Sequence, residues 1–301
     1  MQKSLSIVGE FGFIDILRSR TVCSSDVIKG IGDDTAVVKM SPKKRMLLTT
    51  DMLVEGVHFT RDMSPEAIGY KSICCSVSDI AAMGGIPKHA VISFGADPSL
   101  ELDFALRIYQ GMKKAAKRFG VNIVGGDTVK SKNNVINVAL AGEADIDKVV
   151  YRDGAKAGDN IFVTGRLGGS FNSGWHLKFV PRVEESQYLV KNYKISSMID
   201  ISDGLVPDLN HVLKGSNVGA ILFEKKVPLR KNASIENAYY DGEDFELLFT
   251  ASAQESKKIL SQKKYKFYLI GEIVKKDHGL LSVTSAGYER KIEMNKGFVH
   301  F

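Results

Sequence analysis

The chain has 301 residues, of which 44% are hydrophobic, 25% charged and 9% aromatic, as in an average globular protein. This composition excludes a collagen-like, coiled-coil or largely disordered chain, and the length predicts one large domain or two of about 150 residues each. No uncharged apolar stretch approaches the roughly 18 residues that a bilayer crossing requires, and the N-terminus lacks the apolar core of a signal peptide. We therefore expect a cytoplasmic protein without a membrane segment.

The net charge of +6 comes from 41 Lys and Arg against 35 Asp and Glu. Residues 255–296 hold much of the excess, in short lysine runs at the ends of predicted elements, which favours a solvated face. No nucleic-acid partner is expected, and RNA binding through this region is the remote alternative. The three cysteines, Cys23, Cys74 and Cys75, form no Cys-x-x-Cys pair, so buried thiols are favoured over a redox or zinc site.

In the first half, β-like runs alternate with helical ones. The predicted elements are strands at 35–38 and 46–50, a helix opened by Ser64-Pro65-Glu66 and ending near Met83, a strand at 89–94, a helix capped by Asp97-Pro98 and ending near Gly120, and strands at 121–124 and 135–141. Ser at the N-cap and Pro in the first turn favour the helix start at residue 64.

A turn-rich segment, 151–159, follows these elements, and the domain boundary is placed just before it. We predict an N-terminal domain at 1–148 and a C-terminal domain at 149–301. Strands in the second half are predicted at 160–164, 197–201, 220–223, 246–250 and 267–270. Because strands do not alternate cleanly with single helices, two α+β domains are favoured over a doubly wound parallel sheet.

Aspartates recur beside apolar strands or inside an apolar helix. They are Asp34 after a glycine turn, Asp51 after the strand at 46–50, Asp79 in the first long helix, Asp127 after Val124-Gly125-Gly126, and Asp200 and Asp203 around Ile201-Ser202. Each alone is explained as a cap or a turn former. Ionised carboxylates in apolar surroundings need a cation, however, and these motifs contain no Lys or Arg. The set therefore indicates Mg²⁺ shared with a polyphosphate.

Other nucleotide-binding and hydrolytic motifs are missing from the sequence. It has no Gly-x-x-x-x-Gly-Lys-Ser/Thr loop, no protein-kinase motif set and no Gly-x-Ser-x-Gly elbow. The glycine-rich turn at 163–170 is a weak phosphate-binding signal, because ordinary turn chemistry explains it equally well.

An ordered set of motifs resembles the thiamine-monophosphate kinase family over nearly the whole chain. The motifs are Gly32-Asp33-Asp34-Thr35-Ala36, Thr49-Thr50-Asp51, Glu55-Gly56-Val57-His58-Phe59, Ser78-Asp79-Ile80-Ala81-Ala82-Met83-Gly84, Gly125-Gly126-Asp127-Thr128, Tyr151-Arg152-Asp153-Gly154-Ala155, Asp200-Ile201-Ser202-Asp203-Gly204-Leu205 and Gly242-Glu243-Asp244-Phe245-Glu246-Leu247. The resemblance implies the two-domain fold of aminoimidazole-ribonucleotide synthetase-like proteins, with a homodimer formed through the N-terminal domains. It also implies ATP-dependent phosphorylation of thiamine monophosphate with several Mg²⁺ ions, by direct in-line transfer.

The same resemblance implies roles for individual residues. The implied metal ligands are Asp34, Thr49, Thr50, Asp51, Asp79, Asp127, Asp200 and Asp203. The implied ATP contacts are Tyr109, Gly126, Asp127, Arg152 and Ser202. The implied thiamine-phosphate contacts are His58, Glu243 and Phe298. No general base is assigned, because the acceptor is a phosphate whose second pKa of about 6 leaves its oxygen ionised at neutral pH.

Three positions depart from the family pattern: Asp241 replaces a glycine, Phe298 a tryptophan and Ser76 an asparagine. Two alternatives remain at this point. One is another ATP-using synthetase of the same superfamily, and the other is a non-catalytic nucleotide-binding module on the same fold.

Overall fold

The structure is a computed structural model that describes residues 5–293 and residue 296. Its first part contains α1 (Leu5–Val8), α2 (Glu10–Arg20), β1 (Val27–Lys29), β2 (Ala36–Lys39), β3 (Lys44–Val54), α3 (Pro65–Ala82), β4 (Ile86–Ala96), α4 (Leu102–Phe119), β5 (Asn122–Lys130) and β6 (Val135–Asp145). The second part contains β7 (Asn160–Val163), α5 (Val183–Asn192), β8 (Ser197–Asp200), α6 (Leu205–Ser216), β9 (Gly219–Phe223), α7 (Ile235–Tyr240), β10 (Leu247–Ala251), α8 (Ala253–Ser261), β11 (Tyr268–Val274), β12 (Leu280–Val283) and β13 (Glu289–Lys291). Short 3₁₀ turns span Trp175–Leu177, Glu224–Lys226 and Lys276–His278.

The strands form two separate sheets, one in each half of the chain. The first has the order β1-β2-β3-β6-β4-β5, and the second the order β13-β12-β9-β11-β7-β10-β8. Neighbouring strands are antiparallel except for β4 with β5 and β9 with β12. Mostly antiparallel sheets with helices packed beside them confirm the predicted α+β class. The predicted boundary at residue 148 falls between β6 and β7, where the chain passes from one sheet to the other.

Helix α3 lies at the centre of the molecule. It packs on β3 and β6 of the first sheet, on α4, and on β8 and α5 of the second half. Ser64 caps it by accepting a hydrogen bond from the Ala67 amide, as the sequence predicts. Cys74 and Cys75 are buried in this helix, whereas Cys23, also expected to be buried, is exposed. A helix buried on nearly all sides can place several polar side chains in the same interior site.

Helix α4 begins later than predicted. Asp97 and Pro98 form a turn, in which the Asp97 carboxylate accepts a hydrogen bond from the Ser99 amide at 2.9 Å. The helix starts at Leu102 instead, with Glu101 at the N-cap position. Strands β3 and β5 also extend beyond their predicted ends, so Asp51 and Asp127 lie inside strands.

One face of the first sheet packs against α3 and α4, and the opposite face is exposed. Met52 and Val124 on β3 and β5 are 55% and 62% exposed. Leu48 and Val91 add further apolar surface. Among the described residues, no helix is both long and apolar enough to cross a membrane.

Candidate active site

Three aspartates from distant parts of the chain meet beside α3. Asp34 lies in the loop before β2, Asp79 on α3, and Asp200 at the end of β8. One carboxylate oxygen of each lies within 4.8 Å of those of the other two. Asp51, on β3, lies close enough to Asp79 for its charge to raise the pKa of Asp79. We call Asp34, Asp51, Asp79 and Asp200 the acidic cluster.

Hydroxyl groups hold the carboxylates of the acidic cluster in place. Ser76 on α3 donates to Asp51 Oδ2 at 2.6 Å. The serine that replaces the family's asparagine therefore forms a hydrogen bond with the cluster. Ser78, two residues further along the helix, donates to Asp200, and Thr49 on β3 donates to Asp79. Since alternate strand residues share a face, Thr49 and Asp51 both point toward α3.

The acidic cluster carries more negative charge than its surroundings balance. Burial raises the pKa of Asp200 to about 8, and the neighbouring Asp34 adds to the increase. Burial, followed by Asp51 and Asp200, raises the pKa of Asp79 well above its ordinary value. Arg152 donates to Asp34 Oδ1 through Nε at 3.2 Å and through Nη2. One guanidinium cannot neutralise four carboxylates, so the arrangement favours an added cation.

The acidic cluster fits a hard divalent cation. The second carboxylate oxygen of Asp34, Oδ2, is buried and has no hydrogen-bond partner among the described residues. Such an atom is costly unless a ligand satisfies it. The donors are all carboxylate and hydroxyl oxygens, the type that Mg²⁺ and Ca²⁺ prefer.

A tight loop after β8 is held by Asp208, a residue that the sequence analysis missed. Asp208 is buried in α6, and its Oδ2 accepts hydrogen bonds from the amides of Ser202 and Asp203 at 3.0 Å and of Gly204 at 3.2 Å. The predicted site residues Ser202 and Asp203 are thereby fixed next to Asp200. The sequence signal was an acidic residue in the first turns of a helix that follows a glycine.

A second group joins two residues predicted to contact thiamine phosphate. Lys71 on α3 is fully buried, and its Nζ contacts the Glu243 carboxylate at 2.6 and 2.7 Å. The same Nζ donates to the His58 carbonyl at 3.1 Å, and the Val54 amide donates to His58 Nδ1 at 3.0 Å. Lys71 therefore links His58 and Glu243, although the sequence analysis did not single it out. The feature of the sequence that could have identified Lys71 is that it is the only lysine in α3.

The backbone around Glu243 is folded tightly against the loop after β8. Gly242 and Glu243 have φ values of 71° and 53°, and the Glu243 amide donates to the Ser202 carbonyl at 2.6 Å. A Cβ on Gly242 would lie 2.6 Å from the Ser202 carbonyl oxygen, so only glycine fits there. The Glu243 loop and the Ser202 loop consequently form one unit.

Three of the predicted ATP contacts line one cavity. Tyr109 on α4 and Gly126 and Asp127 on β5 lie around a space of about 390 Å³ between helix and sheet. A Cβ on Gly126 would lie 1.9 Å from the Ile92 carbonyl oxygen, which explains the glycine at this position. The other predicted contacts, Arg152 and Ser202, lie beside the acidic cluster and in the loop after β8.

Two predicted metal ligands lie apart from the acidic cluster. The Thr50 side chain is exposed and donates to Asn137 Oδ1 at 3.1 Å, on the face of β3 opposite Thr49 and Asp51, so its hydroxyl faces away from the cluster. Asp127 is exposed, and its carboxylate accepts a hydrogen bond from the Thr128 amide at 2.8 Å. Phe298, the third predicted substrate contact, lies outside the described residues.

The chain is similar to known proteins over most of its length. Family models for the N-terminal and C-terminal domains of AIR synthase related proteins match residues 32–144 and 155–283. Thiamine-monophosphate kinase of Aquifex aeolicus is 40% identical over 82% of this chain and 87% of its own length, and that of Rhodopirellula baltica is 33% identical over 97% of each. The solved structure of AaThiL complexed with AMPPCP and TMP superposes with a TM-score of 0.87 at 35% identity, over all of both chains.

The two sheets, the helix between them and the matched domains define an AIR synthase related protein. Within that class, the chain belongs to the thiamine-monophosphate kinase family.

Proposed function

We propose that this protein transfers the γ-phosphoryl group of ATP to the phosphate of thiamine monophosphate, giving thiamine diphosphate and ADP. The observation that carries the proposal is the acidic cluster, which brings together four of the six aspartates that the family resemblance implies as metal ligands. The likeness to relatives named for this activity, over most of their length, adds support. The synthetase and the non-catalytic module are the alternatives that the experiment below must exclude.

Asp34, Asp51, Asp79 and Asp200 would hold Mg²⁺ in this reaction, and the Oδ2 atom of Asp34, which has no hydrogen-bond partner among the described residues, would be one of the ligand atoms. Bound Mg²⁺ would screen the repulsion between two phosphate-bearing substrates. Ser76, Ser78 and Thr49 fix the carboxylates before substrate arrives, so little reorganisation accompanies binding. Arg152 supplies a planar guanidinium suited to phosphate oxygens next to the same cluster.

The chain needs no general base for this step. The attacking oxygen belongs to a phosphate monoester, which is mostly ionised at neutral pH. The remaining requirement is alignment of the two substrates. The loop after β8, held by Asp208, and the Glu243 loop, held by Lys71, form a rigid wall for that purpose.

Glu243 and His58 are the proposed contacts for the acceptor. The Glu243 side chain retains 16% exposure while paired with buried Lys71, so it is positioned and still accessible. His58 accepts a hydrogen bond on Nδ1, which leaves the proton on Nε2. One side chain can thus donate to the acceptor and the other can accept from it.

We further propose that two copies of the chain pair through the exposed face of the first sheet. Met52, Val91 and Val124 give this face an apolar character unusual for a surface in contact with water. Pairing would cover Thr50, which lies on the same face. Light scattering should give the mass of a dimer, and a Met52→Lys/Val124→Lys variant should give a monomer.

The decisive experiment incubates the purified protein with ATP, Mg²⁺ and thiamine monophosphate and separates the products by chromatography. We expect thiamine diphosphate and ADP in equal amounts, and only when all three components are present. ADP without thiamine diphosphate would favour another synthetase reaction. Binding of ATP without turnover on any phosphate acceptor would favour the non-catalytic module.

A further inference from the structure

A second and larger cavity lies in the C-terminal half. Its volume is about 770 Å³, and none of the acidic-cluster residues lines it. It lies where β7 ends, next to the 3₁₀ turn at Trp175, the start of α5 and the start of β11. A space of this size accommodates a small organic or inorganic ligand.

The lining of this cavity is strongly basic. Six basic side chains face two carboxylates; the basic residues are Arg166, Lys178, Arg182, Arg230, Lys231 and Lys266. A concave surface with this excess of one charge concentrates ions of the opposite sign.

Both carboxylates in the lining are paired with the same arginine, Arg182. Arg182 forms a bidentate pair with Glu246 at 2.6 and 2.7 Å and contacts Glu185 at 3.1 Å. Within the described residues, Lys231 and Lys266 have no ion pair at all. The positive charge at the rim is therefore left for a ligand from solution.

Arg230 gives an independent indication of a ligand. Its side chain is only 9% exposed, and its Nη1 donates to Asp244 and to Ser170 Oγ. Its Nη2 is buried and has no hydrogen-bond partner among the described residues. A buried guanidinium nitrogen without an acceptor is costly, and an anion in the cavity that Arg230 lines would relieve that cost.

The glycine-rich turn at 163–170 contributes its side chains rather than its amides. The Gly168 amide donates to Asp244, and the Gly169 amide donates to Asp241 at 3.0 Å. These amides are thus unavailable to a phosphate. Thr164, Gly165 and Arg166 of the same turn line the cavity, so this part of the turn forms one wall of the cavity.

We propose that this cavity binds a small anion that carries a diphosphate group, at a site separate from the acidic cluster. Several cations spread around the space match a group with several charged oxygens better than a single carboxylate. The inference goes beyond the proposed function, because it requires no turnover and no metal.

The test uses inorganic pyrophosphate as the probe, titrated into the full-length protein by calorimetry in the presence of EDTA. Without a divalent cation the acidic cluster repels anions, so binding there is suppressed. We expect one molecule of pyrophosphate per chain. The Lys231→Glu/Lys266→Glu variant should weaken binding at least about tenfold, because two attractive charges become repulsive.

The matched control is Lys257→Glu/Lys276→Glu, which reverses two exposed lysines outside the cavity and makes the same change in net charge. It should alter affinity less than about twofold, since distant surface charges are screened by salt. Equal weakening by both double variants would overturn the site, as would absence of binding to the wild-type protein. Unchanged melting temperatures show that both variants fold.

A second arm asks which molecule supplies the diphosphate. If Lys231→Glu/Lys266→Glu loses affinity for ADP and pyrophosphate by the same factor, the site recognises the diphosphate group alone. A larger loss for ADP assigns the site to a nucleotide. Pyrophosphate affinity that changes in Asp51→Asn and stays the same in the lysine variant would place the anion at the acidic cluster and refute the proposal. The chromatographic assay decides the proposed function separately.

Discussion

The protein contains two groups of acidic residues that look alike in sequence and differ in what surrounds them. The acidic cluster holds four carboxylates next to one guanidinium, Arg152. In the segment 241–246, by contrast, each carboxylate has its own donor. Asp241 accepts from the Gly169 amide, Glu243 pairs with Lys71, Asp244 with Arg230, and Glu246 with Arg182.

The difference distinguishes carboxylates that require a bound cation from carboxylates that stabilise the fold. Carboxylates whose charge is matched inside the protein stabilise the fold without a ligand, and their removal exposes an unpaired partner. Carboxylates whose charge is not matched raise one another's pKa values and require a cation from outside. Four variants test this distinction.

The largest effect is expected from Asp244→Ala. This change leaves buried Arg230 without its counter-charge, together with the Gly168 amide and the Ser170 hydroxyl. We expect a loss of about 3–5 kcal/mol in the free energy of unfolding, measured by urea denaturation with or without Mg²⁺. Asp241→Ala is the control and should cost about 1 kcal/mol, because the described donors to Asp241, the Gly169 amide and the Asn237 side chain, are neutral. Similar losses from the two changes would contradict the comparison.

Asp79→Asn should have the opposite pattern. Removing a charge from the acidic cluster should reduce thiamine monophosphate phosphorylation more than about 100-fold, beyond what residues outside a metal's ligand shell contribute. The free energy of unfolding in EDTA should stay unchanged or rise, because a repelled carboxylate is gone. Mg²⁺ should raise the melting temperature of the wild type more than that of the variant. Asp103→Asn, at an exposed position on α4, is the control; wild-type turnover by Asp79→Asn would refute the metal assignment.

Lys71→Met tests Glu243. This residue belongs to the charge-matched segment 241–246 and is also a proposed contact for the acceptor. Without the ammonium group, Glu243 loses its partner and the His58 carbonyl loses a donor. We expect the KM for thiamine monophosphate to rise about tenfold, which corresponds to about 1.4 kcal/mol for a lost charged hydrogen bond. The KM for ATP should remain the same, and Lys71→Arg should restore part of the affinity. Equal changes in both KM values would indicate a general loss of structure instead.

The last predicted effect is a pH dependence of stability that arises from His211. Burial, followed by the charge of Arg152, lowers the pKa of His211 to about 4. The unfolded chain, with an ordinary histidine pKa of about 6.5, therefore binds a proton more readily than the folded chain does. The stability that neutral His211 contributes is fully present above pH 6.5 and is lost as the pH falls toward 4. Between pH 7 and 5 the wild type should lose about 2 kcal/mol more than His211→Asn; parallel pH curves would contradict this.

Much of the acidic cluster followed from local sequence patterns. Asp34, Asp79 and Asp200 stood beside apolar segments without a compensating cation, and the structure brings them together. The start of α3 is confirmed, since capping residues act over a few positions. The start of α4 was wrong, because Asp97 caps a turn that the chain makes before the helix.

The family resemblance supplied residue roles that local patterns did not contain, and those roles remain predictions. Thr50 adjoins two cluster residues in sequence but points to the other face of β3. Lys71 and Asp208 were missed, because their partners lie in distant segments or in a loop whose shape is not evident from the residues.

By itself the sequence determined the α+β class, most elements and the chemistry of the acidic residues, because propensity, capping and apolar patterning operate over a few neighbouring residues. Only the tertiary structure decided which carboxylates are neutralised and which are left for a cation. Charge compensation depends on distances of a few ångströms between side chains far apart in the chain. The burial of Lys71 is a consequence of packing, and so is the lack of a hydrogen-bond partner, among the described residues, for one nitrogen of Arg230 and one oxygen of Asp34. The composition of the chain gives no indication of these features.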